Sequence, residues 1–533
     1  MSKSQGGINV HHTQILRDIS NIIYSNEDYT RKVEEVSTLK EEFSFVISDK
    51  LKNKLLQFSV PSIEKGIYGV VTKVFPRFKN KIILDYTVTS QDIKDADSSE
   101  LKVYARNKEV VLSSSVYPAF LIVIKKTFFR MFNGLNKSNL KISHDEAMEL
   151  LPSSTSACYP TFSKKGSTIS QFDCRKRMKT FGSLSSLNSM ITFLYEHPTV
   201  IFHRVSNKLV KRKDGMYFST PKIRQVFGIP HFICALEGVY FKEIMEGYKR
   251  SHSDRITIGY RKVEVSESVR YMRMKAKETD KEIFCGDISG CDKSVPALFT
   301  FIFALFSLNL YDSVRDANFI LSLLHYFCYT PVVYSGVKKV VTNGSTTSGS
   351  ALTSMFNTFV ILICLETVFF VLNGRLPDKG EVLVQGDDFL ILLKGKDEVV
   401  KLKNIMGQFN FRIRADADLL CSDGQDVEFL GFKWDKYCSP YQSEEWFVAK
   451  LLFPGRRVNY PGPGRLIAKY LSLLFQVRNY HSLYYKFYKH DIHLRQHIIM
   501  GKDPCLTLID NRGRVAKTIF PVSYFLRKGW KAF

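Results

Sequence analysis

Two adjacent aspartates at the turn of a predicted β-hairpin constrain the fold more than any other feature of the sequence. The segment EVLVQGDDFLILLKG, residues 381–395, has two apolar, β-rich runs around a three-residue break. The carboxylates of Asp387 and Asp388 repel each other in such a turn unless a cation neutralises them. A second apolar strand, residues 281–288, ends in Asp287. If the two strands lie side by side, we expect Asp287 to face Asp387, with Asp388 close by.

These three aspartates predict a site for divalent cations. Carboxylate oxygens alone suit Mg²⁺ or Mn²⁺ better than zinc. Two such ions about 3.5–4 Å apart would activate a 3′-hydroxyl and stabilise a leaving pyrophosphate in an in-line displacement. A zinc site is not predicted, because the ten cysteines are scattered and form no C-x-x-C pair. The alternative for the Gly-Asp-Asp tripeptide is an ordinary Asp-rich turn.

A loop of small residues precedes a long apolar helix with two polar side chains on one face. The segment GSTTSGSALTSMFNT covers residues 344–358, with Ser348 and Gly349 in the loop. Thr353 and Asn357 are four positions apart and therefore share a helix face. An Asn inside such an apolar helix is costly unless it is hydrogen-bonded. The alternatives are a helix-start loop and a satisfied polar pair in a buried helix.

A further aspartate, Asp292, follows Asp287 by five residues in the sequence DISGCD. It lies in the turn after the predicted strand. Together with Asn357 it could hold a ribose 2′-hydroxyl, the group that distinguishes RNA precursors from DNA precursors. The alternative is a strand end followed by the N-cap of a short helix.

The positive charge of the chain favours a polyanionic partner. It has 76 Lys and Arg against 52 Asp and Glu, a formal net charge of +24. In the extended segment at residues 218–230, Lys222 and Arg224 point to one side and could bracket a triphosphate. The alternative is a strand with its polar face in water. Five further cations are predicted to bind RNA, or alternatively form a solvated surface: Lys164, Lys165, Lys208, Lys211 and Arg212.

The order of predicted elements from residue 281 onwards indicates an α+β fold. Strand, helix, loop, helix, hairpin, helix and strand follow one another, which is typical of an antiparallel sheet backed by helices. A Pro/Gly-rich segment at 454–465 marks a domain boundary, and residues 467–499 beyond it are predicted to be helical. The longest apolar run, residues 359–372, is too short for the ~20 residues of a bilayer span. No signal-peptide core is predicted at the N-terminus.

These motifs resemble those of viral RNA-dependent RNA polymerases in their order and spacing. Residues 287–292 resemble motif A, Ser348, Gly349, Thr353 and Asn357 resemble motif B, and residues 385–388 resemble motif C. Residues 222–224 are similar to the end of motif F, 428–434 to motif E and 154–160 to motif G. In size and motif style the chain most resembles the polymerases of small double-stranded RNA viruses, the picobirnaviruses and partitiviruses.

The resemblance implies a right hand of fingers, palm and thumb, closed into a ring between fingers and thumb. The expected units are an N-terminal fingers extension at 1–120, fingers at 121–280, palm at 281–455 (with 300–340 partly in the fingers) and a helical thumb at 456–533. Asp287 and Asp387 would be the main ligands of two Mg²⁺ or Mn²⁺ ions, with Asp388 supporting. Asp292, Thr353 and Asn357 would select the ribose, Ser348 and Gly349 would form the motif B loop, and Arg224 would contact the triphosphate.

The same resemblance implies partners and a location. Template RNA, product RNA and ribonucleoside triphosphates are the expected partners, and a viral capsid protein is a further candidate. The expected location is the host cytoplasm or the virion interior. One departure concerns motif D, where the family commonly has a lysine that protonates pyrophosphate. Residues 411–420 contain no lysine, and Arg412, Arg414, Lys401 and Lys403 are the neighbouring cations, so the general acid stays unassigned.

Two other classes of protein would share part of these features. A reverse transcriptase shares the palm and the paired aspartates, but normally has an aromatic or small residue where Asp292 stands. A non-enzymatic RNA-binding or capsid-associated protein would explain the net charge of +24. It would not explain three carboxylates gathered in a basic protein. Dependence on a divalent metal ion distinguishes the polymerase from a binding protein.

Overall fold

A computed structural model of the 533-residue chain describes most of the residues up to 453 and short parts beyond. The described residues are 12–39, 65–79, 81–83, 88–133, 135, 140–311, 313–335, 338–414, 419–453, 473, 476–477, 505–509 and 515–521. The helices are α1 His12–Ile22, α2 Glu27–Thr38, α3 Lys65–Val74, α4 Ser90–Ala105, α5 Tyr117–Asn133, α6 His144–Leu150, α7 Thr168–Ser183, α8 Leu187–Tyr195, α9 His231–Ser251, α10 Lys262–Glu278, α11 Cys291–Ser294, α12 Ala297–Leu308, α13 Val314–Cys328, α14 Thr353–Asn373, α15 Lys396–Gln408 and α16 Glu444–Leu452.

The strands form four separate sheets among the described residues. They are β1 Ile82–Ile83, β2 Thr199–Lys211, β3 Tyr217–Gly228, β4 Glu282–Asp287, β5 Pro331–Tyr334, β6 Lys338–Val341, β7 Val382–Gln385, β8 Asp388–Leu393, β9 Leu419–Cys421, β10 Val427–Phe429, β11 Phe432–Trp434, β12 Pro440–Tyr441, β13 Cys505–Ile509 and β14 Val515–Pro521. Helices and mainly antiparallel sheets occur together, so the predicted α+β class is confirmed.

The central sheet has four strands in the order β7-β8-β4-β9, and every neighbouring pair is antiparallel. Its strands are apolar on both faces because the core helices cover one side, and α10 together with the small β10–β12 sheet covers the other. Strand β4 therefore lies in the interior with its end at Asp287, next to the β7–β8 turn. This is the arrangement of strands that the sequence predicted for the carboxylates.

A long helix, α14, forms the centre of the core behind this sheet. Most of the helix, from Met355 to Phe369, is buried, and this part packs against the Phe-rich helix α12. With 21 residues it is longer than the predicted apolar run and long enough to span a bilayer. However, 83% of its apolar window is buried inside the protein, and its Glu366 pairs with Arg255. A helix buried to this extent packs as a core helix, so its length and apolar composition alone are weak evidence for a membrane span.

A second sheet is built around a long hairpin of β2 and β3. The twelve register pairs run from Val200–Gly228 to Lys211–Tyr217, and the sheet order is β1-β3-β2-β5-β6. Residues 218–228 are thus extended, as predicted. Of the described residues in the segment 81–89, Ile82 and Ile83 form the short strand β1 at the edge of this sheet.

The C-terminal region is described only in part. The predicted helical stretch 467–499 lies outside the described residues, apart from Leu473, Gln476 and Val477. Strands β13 and β14 form an antiparallel pair within the unit at 456–533 that the sequence predicts to be mostly helical. Alternation in CLTLI and VAKTIFP gives these segments strand character, a signal that the sequence interpretation missed.

Candidate active site

The paired aspartates lie at a two-residue hairpin turn rather than in a three-residue break. Gly386 and Asp387 form the loop, and Gln385 pairs with Asp388, the first residue of β8. Gly386 has φ of 65°, a left-handed conformation that glycine adopts at no steric cost. Two-residue hairpins need such a residue at the first loop position, which is why the turn is shorter than predicted.

This shorter turn changes the partner of Asp287. Across the β4–β8 pair, Asp287 lies opposite Asp388, not opposite Asp387 as the sequence predicts. Asp387 stands in the loop beside them, and its carbonyl accepts a hydrogen bond from the Ile288 N–H at 3.1 Å. The backbone register therefore differs by one position from the predicted one, but the predicted contact is found, because the side chains of Asp287 and Asp387 interact through a hydrogen bond. The three aspartates are nevertheless brought together at the ends of β4 and β8.

The electrostatics of the cluster reflect crowding of like charges. Burial, together with the carboxylates of Asp387, Asp287 and Glu428, raises the pKa of Asp388 to about 7. Burial also raises the pKa of Asp387, and the charge of Asp292 adds to this effect. A cation placed among these groups would relieve the repulsion and favour the charged forms of Asp387 and Asp388.

One cation already contacts the cluster. The guanidinium of Arg414 donates from Nη1 to Asp287 Oδ2 at 2.7 Å, and the Arg414 backbone N–H donates to the Asp287 carbonyl at 2.9 Å. Arg414 belongs to the segment where the sequence lacks the motif D lysine. Of the other neighbouring cations, Arg412 and Lys401 are exposed and Lys403 is partly buried on α15. The structure thus assigns Arg414 a place beside Asp287 but no proton-transfer role.

The donor atoms of the cluster fit a hard divalent cation, although no closed cage is formed. Within the described ranges, no three His, Cys, Asp or Glu side chains converge as a complete metal site. A preformed cage is not needed for Mg²⁺, which is typically bound through one or two carboxylates and completed by water and substrate phosphates. Three features of the cluster suit such an ion. Its ligands are all carboxylate oxygens, the pKa values of Asp387 and Asp388 are raised, and a positively charged guanidinium already contacts Asp287.

A hydrogen-bonded group of three polar side chains lies next to the aspartates. Asn357 donates from Nδ2 to Asp292 Oδ1 at 2.7 Å. Thr346 Oγ1 lies 3.0 Å from Asn357 Oδ1 and 3.3 Å from Asp292 Oδ1, and its backbone N–H donates to the Asp292 carbonyl at 2.6 Å. The predicted proximity of Asp292 and Asn357 is therefore found. Thr346 was not predicted, because its role depends on a contact made through the folded loop.

Thr346 lies in the loop at residues 344–352, which contains Ser348 and Gly349 and is called the motif B loop below because of its resemblance to that motif. It is held against the end of β3, where the Phe227 N–H donates to Ser348 Oγ at 3.4 Å. A Cβ on Gly349 would lie 1.9 Å from the Phe227 carbonyl oxygen, so only glycine fits at this position. Thr353 does not join the Asp292–Asn357 group: its hydroxyl donates to the Thr347 carbonyl at 2.6 Å and closes the loop onto α14.

The predicted triphosphate-binding cations lie on β3, where Lys222 and Arg224 are both exposed. Arg224 is paired in register with Arg204 on β2, so two like charges stand directly opposite each other. Burial and the charges of these two arginines lower the pKa of Lys450 on α16. Arg204 and Lys450 thus extend the predicted cationic patch. Neither was predicted, because the pairing of β2 and the position of α16 are not visible in a local motif.

Comparison with known proteins identifies the family. The family model described as viral RNA-dependent RNA polymerase matches residues 73–448, about 70% of the chain. The chain belongs to this family. It is therefore an RNA-directed RNA polymerase, as the motifs predicted. A search of the curated proteins finds no match.

Solved polymerase structures share the fold of this viral polymerase. A crystal structure of the RNA-dependent RNA polymerase of a human picobirnavirus is similar, with a TM-score of 0.60 and 12% identity, covering 91% of this chain and 90% of that one. An insertion-loop deletion mutant of the human picobirnavirus polymerase gives a TM-score of 0.55 and 13% identity, covering 93% and 96%. The predicted resemblance to picobirnavirus polymerases is confirmed.

The cations predicted to bind RNA lie on two separate elements of the polymerase. Lys164 and Lys165 belong to the loop before α7, with Lys164 exposed. Lys211 and Arg212 are exposed at the tip of the β2–β3 hairpin, where the Arg212 guanidinium lies 3.6 Å above the Phe218 ring. Lys208 is in β2, and its side chain is outside the described part of the protein. RNA binding by these residues stays a prediction.

Proposed function

We propose that this polymerase copies and transcribes a viral RNA genome by two-metal-ion nucleotidyl transfer. The observation that carries the proposal is the position of the Asp292–Asn357–Thr346 group beside the paired aspartates. The charge of Asp292 contributes to the raised pKa of Asp387, so the two groups share one site. Groups able to hold a ribose hydroxyl then lie next to groups able to hold Mg²⁺, which is the combination that ribonucleotide polymerisation requires.

Asp287 and Asp387 are the proposed main ligands of two Mg²⁺ or Mn²⁺ ions, with Asp388 in support. When bound, the ions supply charge stabilisation for the attacking 3′-oxygen and the leaving pyrophosphate. The protein fixes Asp287 at the end of β4 and Asp388 at the start of β8, so their spacing is set by the sheet register. Arg414 orients the Asp287 carboxylate through its 2.7 Å contact.

The incoming nucleotide is proposed to be recognised at its ribose and at its triphosphate. Asp292 and Asn357 are proposed to bind the 2′-hydroxyl, because they are hydrogen-bonded to each other next to the paired aspartates and a deoxyribose could not make this contact. Ser348, Gly349 and Thr353 keep the motif B loop in place beneath the ribose. Lys222 and Arg224 are proposed to contact the triphosphate. Arg204 and Lys450 lie close to Arg224 and add to the positive electrostatic potential there.

Further parts of the proposal concern the whole molecule. We infer the division into fingers extension, fingers, palm and thumb at the boundaries given above, with a closed fingers–thumb ring. Lys164, Lys165, Lys208, Lys211 and Arg212 are proposed to contact RNA phosphates. The proposed partners are template RNA, product RNA, ribonucleoside triphosphates and a capsid protein. The proposed location is the host cytoplasm or the virion interior.

The test is nucleotide incorporation on a single-stranded RNA template with Mg²⁺ or Mn²⁺. Ribonucleotides and deoxyribonucleotides are compared, on RNA and DNA templates, with and without a primer. The proposal predicts RNA-templated incorporation of ribonucleotides that stops when the metal is chelated. Preferential incorporation of deoxyribonucleotides would indicate a reverse transcriptase instead. Tight RNA binding without incorporation under either metal would indicate a non-enzymatic RNA-binding protein.

A further inference from the structure

Glu237 is a buried carboxylate of the fingers that contacts the motif B loop. It lies on α9, 113 residues before Ser350 in the chain, and is only 1% exposed. Ser350 Oγ donates to Glu237 Oε1 at 2.8 Å, and the Ala351 N–H donates to Oε2 at 2.8 Å. Both oxygens of one carboxylate are therefore used to hold two consecutive residues of the loop.

The contact adds to two others from the same part of the chain. Phe227 at the end of β3 touches Ser348 and Gly349, and Cys234 on α9 donates from Sγ to the Gly349 carbonyl at 3.6 Å. Glu237 is the one residue of the three whose side chain accepts two hydrogen bonds from the loop. Because these two hydrogen bonds reach two consecutive residues of the loop, Glu237 is the firmest of these attachments.

The other end of the loop carries Thr346, which contacts Asp292 and Asn357. Between the two ends, the Ser350 N–H donates to the Thr347 carbonyl at 3.0 Å, which makes the loop one compact turn. A displacement at Ser350 and Ala351 would therefore be transmitted to Thr346. While the loop is displaced, the ribose-binding group cannot keep its arrangement, because Asn357 Oδ1 would lose its hydrogen-bond partner Thr346.

We propose that Glu237 is a positioning residue that latches the motif B loop to the fingers and thereby sets the discrimination between ribose and deoxyribose. The inference rests on the proposed function. It adds a residue outside the polymerase motifs, on the helix that follows the strand of Lys222 and Arg224. The latch connects the segment that carries the triphosphate cations to the loop that carries the ribose-selecting group.

The test compares Glu237→Met with Glu237→Gln in the full chain. Met has a similar length but no oxygen acceptor. Gln keeps one acceptor for the Ala351 N–H and can donate to Ser350 Oγ. Two quantities are measured: hydrogen exchange of the amides at 344–352, and the ratio of kcat/KM for a ribonucleotide over its deoxy analogue. We expect E237M to speed exchange and to lower the ratio, each by about tenfold, while E237Q stays within about twofold of wild type.

A control separates positioning from a general loss of stability. Ile244→Ala removes a fully buried side chain from α9, two turns beyond Glu237. When I244A and E237M are compared under conditions where both lower the thermal midpoint by the same amount, I244A should leave the ratio of ribonucleotide to deoxyribonucleotide kcat/KM unchanged. The proposal is overturned if I244A lowers the ratio as E237M does, if E237M changes neither quantity, or if E237Q behaves like E237M. Should E237M fail to fold, Ser350→Ala removes the latch from the loop side and should lower the ratio in the same direction.

The failure of the proposed function is distinguishable from the failure of the latch. If wild type incorporates no nucleotide, the proposed function fails, and hydrogen exchange alone decides on the latch. Faster exchange at 344–352 in E237M but not in E237Q would then support it, and equal exchange in all three proteins would overturn it.

Discussion

Arg414 forms a salt bridge to Asp287, with Nη1 2.7 Å from Oδ2, and also binds the Asp287 carbonyl through its backbone N–H. A guanidinium thus neutralises the aspartate that ends the central strand. Because Arg414 carries a permanent positive charge, it attracts the Asp287 carboxylate and holds it in place. The same charge also repels an incoming divalent cation, so Arg414 and the metal compete for one carboxylate.

We expect Arg414→Gln to lower the Mg²⁺ concentration needed for half-maximal incorporation. Removing one positive charge near a partly exposed site is worth about 1 kcal/mol, or roughly fivefold in metal affinity. The measurement is a Mg²⁺ titration of the incorporation rate. Arg412→Gln is the matched control, since Arg412 is an exposed arginine two positions away. An unchanged or higher Mg²⁺ requirement in R414Q would show that Arg414 does not compete with the metal.

Thr346→Val should weaken the selection of ribonucleotides. The substitution keeps the shape of the side chain but leaves Asn357 Oδ1 without its 3.0 Å partner. An unsatisfied buried acceptor costs about 1–2 kcal/mol, so kcat/KM for the ribonucleotide should fall roughly 5- to 30-fold, and less for the deoxy analogue. Thr367→Val is the control, because that hydroxyl bonds the Ile363 carbonyl within α14. Equal effects of both substitutions would contradict the assigned role of Thr346.

Gly349→Ala should inactivate the polymerase without unfolding it. The added Cβ would meet the Phe227 carbonyl oxygen at 1.9 Å, and a backbone atom cannot move aside as a flexible side chain can. The motif B loop must shift, and we expect the incorporation rate to fall by about 100-fold, as for a loss of about 3 kcal/mol. Gly407→Ala, with nothing within 4 Å of the new Cβ, should keep full activity. A G349A variant with near-normal incorporation would contradict the observed packing.

The stability of the protein should depend on pH through Glu237. Burial raises its pKa to about 7 from the usual 4.5, and Ser350, Ala351 and Lys165 oppose this rise. The folded state therefore binds the proton more tightly, so the free energy of unfolding falls as pH rises from about 4.5 to 7. A difference of 7 − 4.5 = 2.5 corresponds to at most about 3 kcal/mol.

Glu237→Gln lacks this titration and provides the measurement. The thermal midpoint of E237Q relative to wild type should be higher at pH 8 than at pH 5 by about 1–3 °C. The Cys234 thiol and Tyr326 also face Glu237, but burial raises the pKa of both, so neither ionises in this range. A midpoint difference that is the same at pH 5 and pH 8 would contradict the raised pKa of Glu237.

The parts of the site that could be predicted from sequence are those set by local patterns and by the cost of burying polar groups. Two apolar, β-rich runs around a short break predicted β7 and β8, and the cost of an amide in an apolar helix predicted that Asn357 has a partner, which is Asp292. The register failed because one glycine conformation shortened the turn by a residue, which moved Asp388 opposite Asp287.

The residues that could not be predicted act through contacts distant in sequence. Glu237 meets Ser350 across 113 residues, and Arg414 meets Asp287 across 127. Neither residue belongs to a short motif, and no local pattern shows which helix or loop will pack against which. A buried acid such as Glu237 in the apolar stretch of α9 was the one available signal, because such a group needs a partner.

The most direct test of the account is Asp387→Asn, measured against wild type in RNA-templated ribonucleotide incorporation over a range of Mg²⁺ concentrations. Asn keeps the size of the side chain and removes its charge, so the hairpin should stay folded and RNA binding should be retained. The account predicts that incorporation falls by at least about 1,000-fold and that added Mg²⁺ does not restore it. Incorporation by D387N at a rate close to wild type would contradict a metal site at the β7–β8 turn.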